Sequence, residues 1–335
     1  MPTIKTVAEK AGVSIRTVTR VHNAPQSVSA KTRRKVAAAA DALGYVPDRL
    51  AQAVRLGRSG VIGLLTDVGG STPCSSDIVR GIEEALAERG LSLLIGTMEN
   101  RGESSEAILR SFRAGRTDGV ICAATYHRQI EDFQPPFTPG VLVNCFTANK
   151  TLPTIIPDEE KGGHAACAHL LERGHRRISY LTLAPDIEAT RLRLAGVMRA
   201  LREAGVPIPD DLARPGQSAA GRFLAAEAFD AATDLLAAAS RPTAVLCGND
   251  EMALQVYNAA ARLSLAVPAD LSVVGFDDHK LFSEALRPAL TTVSLPYVRM
   301  GRMAVEALFR EPPGMAGEMR FECPLVVRQS TAAVS

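Results

Sequence analysis

The chain has 335 residues, 46% of them hydrophobic, and a net charge of +2 that hides an asymmetry. Residues 1–58 hold 11 of the 38 Lys+Arg but 3 of the 36 Asp+Glu, leaving 27 and 33 for the rest, so a cationic head precedes an acidic body and only the head suits phosphates. No apolar run approaches the ~20 residues of a membrane helix and no signal-like segment opens the chain, which excludes a membrane partner and predicts a cytoplasmic protein. Six cysteines (Cys74, Cys122, Cys145, Cys167, Cys247, Cys323) stand singly, without metal or redox spacing, and read as buried thiols. No metal or cofactor is expected.

In chain order, Thr3 is placed to cap a first helix whose Val7, Ala8 and Ala11 share one face, and Gly12 supplies the left-handed turn that ends it. Ser14 caps a second helix. Val13 and Val18 pack back on Ala8 and Ala11, which leaves Ile15, Arg16 and Arg20 outward with Thr17 at the helix start, a layout that presents a helix N-terminus and two arginines to a major groove. Ser29 caps a third helix, Ala30 to Leu43, with a basic first turn (Lys31, Arg33, Arg34, Lys35) and a stop at Gly44. Residues 48–58 are too few for a stable isolated helix but enough for one formed against a partner, a conditional hinge.

From Val61 the pattern changes to short apolar runs alternating with amphipathic segments. Strands are predicted at 61–66, 92–96, 119–123, 141–144, 178–182, 243–247 and 272–276, and helices at 76–89, 104–114, 159–173, 189–204, 224–238 and 250–263, a βαβ series with parallel sheets. Ligands of such folds gather beyond the carboxyl ends of the strands. The polar residues placed there are Asp67, Asn144, Asn249 with Asp250, and Asp277 with Asp278; any one of them also suits a plain helix cap, whereas their recurrence indicates a cleft. A nucleotide-dependent enzyme is disfavoured, because Asp67-Val68-Gly69-Gly70-Ser71 lacks dinucleotide glycine spacing and no phosphate-loop motif occurs. An exported sugar-binding protein is disfavoured by the basic head and the missing signal peptide. His164, His169 and His175 lack metal spacing and read as structural or surface residues.

Several segments in order carry a family resemblance: Ala11-Gly12-Val13-Ser14 with Thr17-Val18, Val28-Ser29 with Lys31-Thr32-Arg33, Gly44-Tyr45-Val46-Pro47, Gly174-His175-Arg176-Arg177-Ile178, Arg191 to Gly196, Gly248 to Ala253, Leu271 to Asp278, and Val327 to Thr331. The chain resembles the lactose-repressor/galactose-repressor (LacI/GalR) family of bacterial transcription regulators. The resemblance implies an all-α helix-turn-helix head (1–46), a hinge helix and linker (47–58), and an α/β core of two similar parallel-sheet lobes (59–335), like periplasmic sugar-binding proteins, crossed by three connections. It also implies a DNA-binding repressor rather than an enzyme, working as a homodimer on pseudo-palindromic double-stranded operators. Ile15, Arg16 and Arg20 fall at base-reading positions, Ser14 and Thr17 at phosphate-holding ones, and Thr3, Asn23, Ser29 and Arg33 complete the expected DNA-facing set.

In the hinge, Val54 stands where the family inserts a leucine into the minor groove, a shorter and stiffer wedge. Leu56 does not replace it. Thr6 and Thr19 depart from a common aspartate and serine. Ligand-contacting positions of the core correspond to Arg193, Asn249 and Asp277, with Asn144, Asp158, Asp67, Ser75, Asp77 and Phe223 as additions; Pro157 and Leu295 depart from an aromatic and a glutamine. Guanidinium and amide donors beside carboxylate acceptors suit a small polyhydroxylated effector with Arg193 as its clamp, and a non-sugar effector such as a nucleobase is the alternative.

Overall fold

The computed structural model describes residues 2–45, 58–67, 73–98, 104–131, 133, 135, 139–217, 225–310 and 317–334. The chain divides into two units, Met1–Ser59 and Gly60–Ser335. In the first, α1 (Ile4–Ala11), α2 (Ile15–Asn23), a 3-10 turn (Pro25–Ser27) and α3 (Ala30–Leu43) follow the predicted boundaries. Thr3 and Thr6 cap α1 reciprocally: the Thr3 hydroxyl accepts from the Thr6 amide at 3.3 Å, and the Thr6 hydroxyl accepts from the Thr3 amide at 2.9 Å. Thr6 thus has a local job of its own. Gly12, at φ 60°, turns the chain between α1 and α2, and Ser14 accepts from the Thr17 amide at 3.1 Å. Val7, Ala8, Ala11, Val18, Val36, Ala39 and Ala40 form the small core, with Val13 packed against it.

The second unit contains two six-stranded sheets. The N-lobe sheet comprises β1 (Val61–Asp67), β2 (Ser92–Met98), β3 (Gly119–Gln129), β4 (Gly140–Phe146), β5 (Thr154–Pro157) and β11 (Glu318–Phe321), in the order β11-β5-β4-β3-β1-β2 with every pair parallel. The C-lobe sheet comprises β6 (Ile178–Thr182), β7 (Ala213–Pro215), β8 (Ala244–Cys247), β9 (Ser272–Asp277), β10 (Thr291–Ser294) and β12 (Leu325–Val326), in the order β12-β10-β9-β8-β6-β7, parallel except for β12. The helices are α4 (Pro73–Glu88), α5 (Ser104–Ala114), α6 (Glu159–Glu172), α7 (Glu188–Glu203), α8 (Ala225–Ala237), α9 (Asp250–Arg262), the short α10 (Lys280–Ser283) and α11 (Tyr297–Leu308). The chain passes between lobes three times: from β5 into α6, from β10 into α11, and from β11 to β12. Leu295, Phe321 and Cys323 in or beside these passages belong to an apolar cluster drawn from both lobes, which accounts for an apolar side chain at 295.

Sequence periodicity missed β5, β7, β10, β11 and β12, each of two to four residues, and also α10 and α11. It also stopped β3 at residue 123, whereas a register shift between Ala123 and Arg128 carries the strand on to Gln129. Close helix contacts depend on missing side chains. A Cβ on Gly163 of α6 would lie 2.3 Å from the Arg193 carbonyl oxygen, and one on Gly196 of α7 would lie 2.0 Å from that of Glu160. These two glycines bring α6 against α7. Cys122, Cys145, Cys167, Cys247 and Cys323 are buried free thiols. Among the described residues, no group of His, Cys, Asp and Glu is arranged to hold a metal ion, and no helix is long and apolar enough to cross a membrane.

Candidate functional sites: the head helix and the interlobe cleft

The first site is the outward face of α2. Val18 is fully buried, which fixes the rotation of the helix and leaves Ile15 47% exposed with Arg16 and Arg20 exposed beside it. Their side chains are free to read base edges. Ser14 and Thr17 share a hydroxyl contact of 2.9 Å at the helix start, where amide groups and the helix dipole favour a phosphate. Thr3 and Ser29 are exposed at the starts of α1 and α3, the Ser29 hydroxyl accepting from the Thr32 amide at 3.3 Å; Arg33 is half-buried on the first turn of α3. The side chain of Asn23 and all of residues 46–57, including Val54, lie outside the described residues.

The second site lies where the carboxyl ends of the two sheets face each other. On the N-lobe side, Asp67 at the end of β1 is 3% exposed, and one of its oxygens accepts from the Thr125 amide at 2.8 Å and the Thr125 hydroxyl at 2.9 Å. Its other oxygen pairs with Arg128 at 2.6 Å. Asp67 therefore holds the irregular stretch of β3. Asn144, at the end of β4, has a left-handed backbone (φ 55°) and is 1% exposed. Its amide nitrogen donates to the carbonyls of Ala124 (3.0 Å) and Thr125 (3.1 Å), while its Oδ1 is buried without a partner. Arg128 Nε and His127 Nδ1 are also buried and unpartnered. His127 is 2% exposed, edge-on to Phe146 at 5.6 Å, and burial lowers its pKa against the opposing fields of Glu159 and Glu188.

On the C-lobe side, Arg193 of α7 forms a buried two-point ion pair with Glu159, the first residue of α6, through Nε–Oε2 at 2.6 Å and Nη2–Oε1 at 3.1 Å. Its Nη1 donates to the Gly248 carbonyl, and its plane lies 3.7 Å from the Phe276 ring centre. Burial opposes the charge on Arg193, but Glu159 more than restores it and raises the pKa. A void of about 10 Å³ beside this group is lined by Tyr180, whose buried hydroxyl has no partner, and has room for about one water.

Asn249 caps α9 by accepting from the Met252 amide at 2.8 Å. Asp250, next to it, accepts from the Thr292 hydroxyl at 2.6 Å and the His279 amide at 2.7 Å; burial and then Asp277 push its pKa up. Asp277 and Asp278 both have positive φ, 110° and 56°, an uncommon backbone state for residues with a Cβ. Asp278 binds Lys280 at 2.7 Å and Arg328 at 2.7 Å. Asp158 caps α6 through the Lys161 amide at 3.3 Å. Asp77 is half-buried on α4, pairs with Arg80 at 3.0 Å, and its field reaches His279 across the cleft. Phe223 and the side chain of Ser75 lie outside the described residues.

The structure thus gathers Asp67 and Asn144 on one wall and Arg193, Asn249 and Asp277 on the other, with Asp158 at a passage between lobes. It adds Glu159, His127 and Arg128, which the sequence reading missed. Glu159 was visible as a second carboxylate directly after Asp158, whereas His127 and Arg128 lay beyond the expected end of β3. His169 and His175 are structural. His169 Nε2 meets the Thr331 hydroxyl at 2.9 Å, and His175 contacts the Thr243 hydroxyl at 2.9 Å and the Ala332 carbonyl at 3.0 Å, tying the C-terminal segment to the C-lobe.

A helix-turn-helix unit followed by two parallel-sheet lobes crossed three times defines a ligand-binding type of transcription regulator. Residues 3–48 match the model for bacterial regulatory proteins of the lacI family, and residues 167–331 match a periplasmic binding protein-like domain. The chain is 36% identical to the ribose operon repressor of Escherichia coli (strain K12) over 92% of each protein, and 32% identical to the transcriptional repressor CytR of the same organism over 99% of this chain and 97% of that one. Among solved structures, the lac repressor dimer bound to operator and the anti-inducer ONPF matches with a TM-score of 0.79 at 30% identity over 99% of both chains, and a CelR–cellobiose complex matches with 0.69 at 29% identity over 98% of this chain and all of that one. The chain belongs to the lacI family: it is a DNA-binding transcriptional repressor, not an enzyme.

Proposed function

We propose that this repressor binds a pseudo-palindromic operator as a homodimer in the cytoplasm, and that a small sugar-like effector in the interlobe cleft governs that binding. The observation that carries the DNA half is the free face of α2, where Ile15, Arg16 and Arg20 stand exposed beside the capped start of the helix. Ser14 and Thr17 hold phosphate, Thr3, Asn23, Ser29 and Arg33 flank the duplex, and Val54 of the hinge (47–58) enters the minor groove. The head is 1–46 and the effector-binding and dimerising core is 59–335. The effector half rests on buried polar atoms without partners at the strand ends, since such atoms need hydrogen-bond partners that a ligand with hydroxyl groups, or water in its place, supplies. The names of a ribose operon repressor and a regulator held with cellobiose among its relatives support a sugar.

A ligand shifts a conformational equilibrium only by its differential affinity for the two states, so the effector must touch both lobes to couple to DNA. Asp67, Ser75, Asp77 and Asn144 serve from the N-lobe. Asp158, Arg193, Phe223, Asn249 and Asp277 serve from the C-lobe side, Arg193 as the clamp. Selection from random duplexes should return a site with dyad symmetry carrying two protomers, and one or more sugars should change its affinity in gel shifts. Sites without a dyad would sink the dimeric reading, and a response to nucleobases in place of sugars would sink the sugar.

A further inference from the structure

The arginines of the cleft face carboxylates before any ligand arrives. Arg193 has five N–H donors, of which three are engaged: two by Glu159 and one by the Gly248 carbonyl. One of the two edges by which the guanidinium grips a phosphate or carboxylate at two points, Nε with Nη2, already grips Glu159, and both partners are buried, with side chains 3% and 1% exposed. Two N–H groups remain, one on each terminal nitrogen. They suffice for a hydroxyl oxygen, whereas an anion there would stand beside the Glu159 carboxylate and in the field of Asp277. The other described arginines of the site also face carboxylates, Arg328 that of Asp278 and Arg128 that of Asp67, the latter through one terminal nitrogen alone.

The opposite wall asks for donors as well as acceptors. The orientation of the Asn144 amide is fixed, because its nitrogen faces two carbonyl oxygens, so the buried Oδ1 without a partner is an acceptor that only a donor can satisfy. A hydroxyl both donates and accepts; a fully ionised phosphate or carboxylate only accepts. His127 Nδ1 and Arg128 Nε supply further unsatisfied positions on the same wall.

We propose that the cleft takes an uncharged polyhydroxylated ligand and refuses its phosphorylated or carboxylated counterparts, with Glu159 as the specificity-determining residue that occupies the Nε–Nη2 edge of Arg193 and sets a carboxylate beside its remaining N–H groups. The proposal rests on the reading of this cleft as the effector site. Calorimetry with matched pairs tests it: D-ribose and ribose 5-phosphate, D-glucose and glucose 6-phosphate, D-galactose and galacturonate. In any pair that binds, the neutral member should bind the parent more than tenfold tighter, and Glu159→Gln should narrow that gap at least tenfold. Thermal melts with inorganic phosphate provide an independent arm, in which the parent should be indifferent and Glu159→Gln should gain a saturable rise in Tm. A charged member that binds the parent as well as its neutral partner overturns the proposal. So does a saturable phosphate response of the parent that Arg193→Ala abolishes, or a folded Glu159→Gln protein as indifferent to phosphate as the parent. Should Glu159→Gln not fold, the parent's own preferences carry the test. A panel in which no sugar binds sinks the sugar effector instead, and the phosphate arm still decides the role of Glu159.

Discussion

Arg16 and Arg20 owe their exposure to a neighbour that is itself buried. Val18, fully buried between them in sequence, sets the rotation of α2 and so keeps both guanidinium groups outward. A well-placed arginine on a guanine contributes roughly 1–3 kcal/mol of discrimination, or about 5- to 150-fold in affinity. Arg16→Ala and Arg20→Ala should each weaken specific operator binding by that order while leaving effector binding in the core unchanged. Gel-shift titrations at fixed salt measure the first effect and calorimetry the second. Parent-like affinity in both variants would show that α2 does not read the operator.

The helix pair α6 and α7 shows how an element builds a site. Glu159 and Arg193 meet only because Gly163 and Gly196 remove the side chains that would hold the two helices apart. Replacing Gly196 by alanine gains about 1 kcal/mol of helix propensity. The same change sets a Cβ 2.0 Å from the Glu160 carbonyl oxygen and 2.7 Å from the His164 amide, both backbone atoms that cannot turn aside. Overpacking of this kind costs about 3 kcal/mol, so the clash outweighs the propensity. Urea unfolding should therefore show Gly196→Ala destabilised by about 2 kcal/mol net, and a variant as stable as the parent would contradict the close approach of the helices. The β1–β3 pairing makes a similar point in strands, where the Asp67 carboxylate sustains the irregular stretch that places His127 and Arg128 on the cleft wall.

At the scale of the whole molecule, the C-terminal segment closes the C-lobe through histidines that are held neutral. Burial lowers the pKa of His169 to about 4, assisted by Arg173, and burial also lowers that of His175. Both values lie below that of an unfolded histidine, so the unfolded chain takes up protons first as the pH falls. The stabilisation is complete above the unfolded value and is lost progressively below it. Chemical denaturation at pH 7.5 and 5.5 should show the parent losing about 1 kcal/mol more than His169→Gln over that interval. The buried Asp250, whose pKa is raised, works in the opposite direction in both proteins and cancels in the comparison. An equal loss in the two would mean that His169 is not held neutral by the fold.

Local structure and the order of the layers are legible in the amino-acid sequence. Caps at Thr3, Ser14 and Ser29, the turn at Gly12, and the βαβ alternation are written in neighbouring residues, because capping and amphipathic periodicity act within a few positions. The strand ends also announced Asp67, Asn144, Asn249 and Asp277, since a polar residue after an apolar run is a local signal. Tertiary structure decided what those residues touch. Asn249 caps its own helix, Asp67 is spent on β3, and Arg193 is bound by a glutamate 34 positions earlier. The short strands β5, β11 and β12 exist only through pairing with distant strands or with the passages between lobes, so no periodicity announced them. Pairing, burial and the balance of charge in the cleft join residues far apart in the chain, and such joins are made only when the lobes fold.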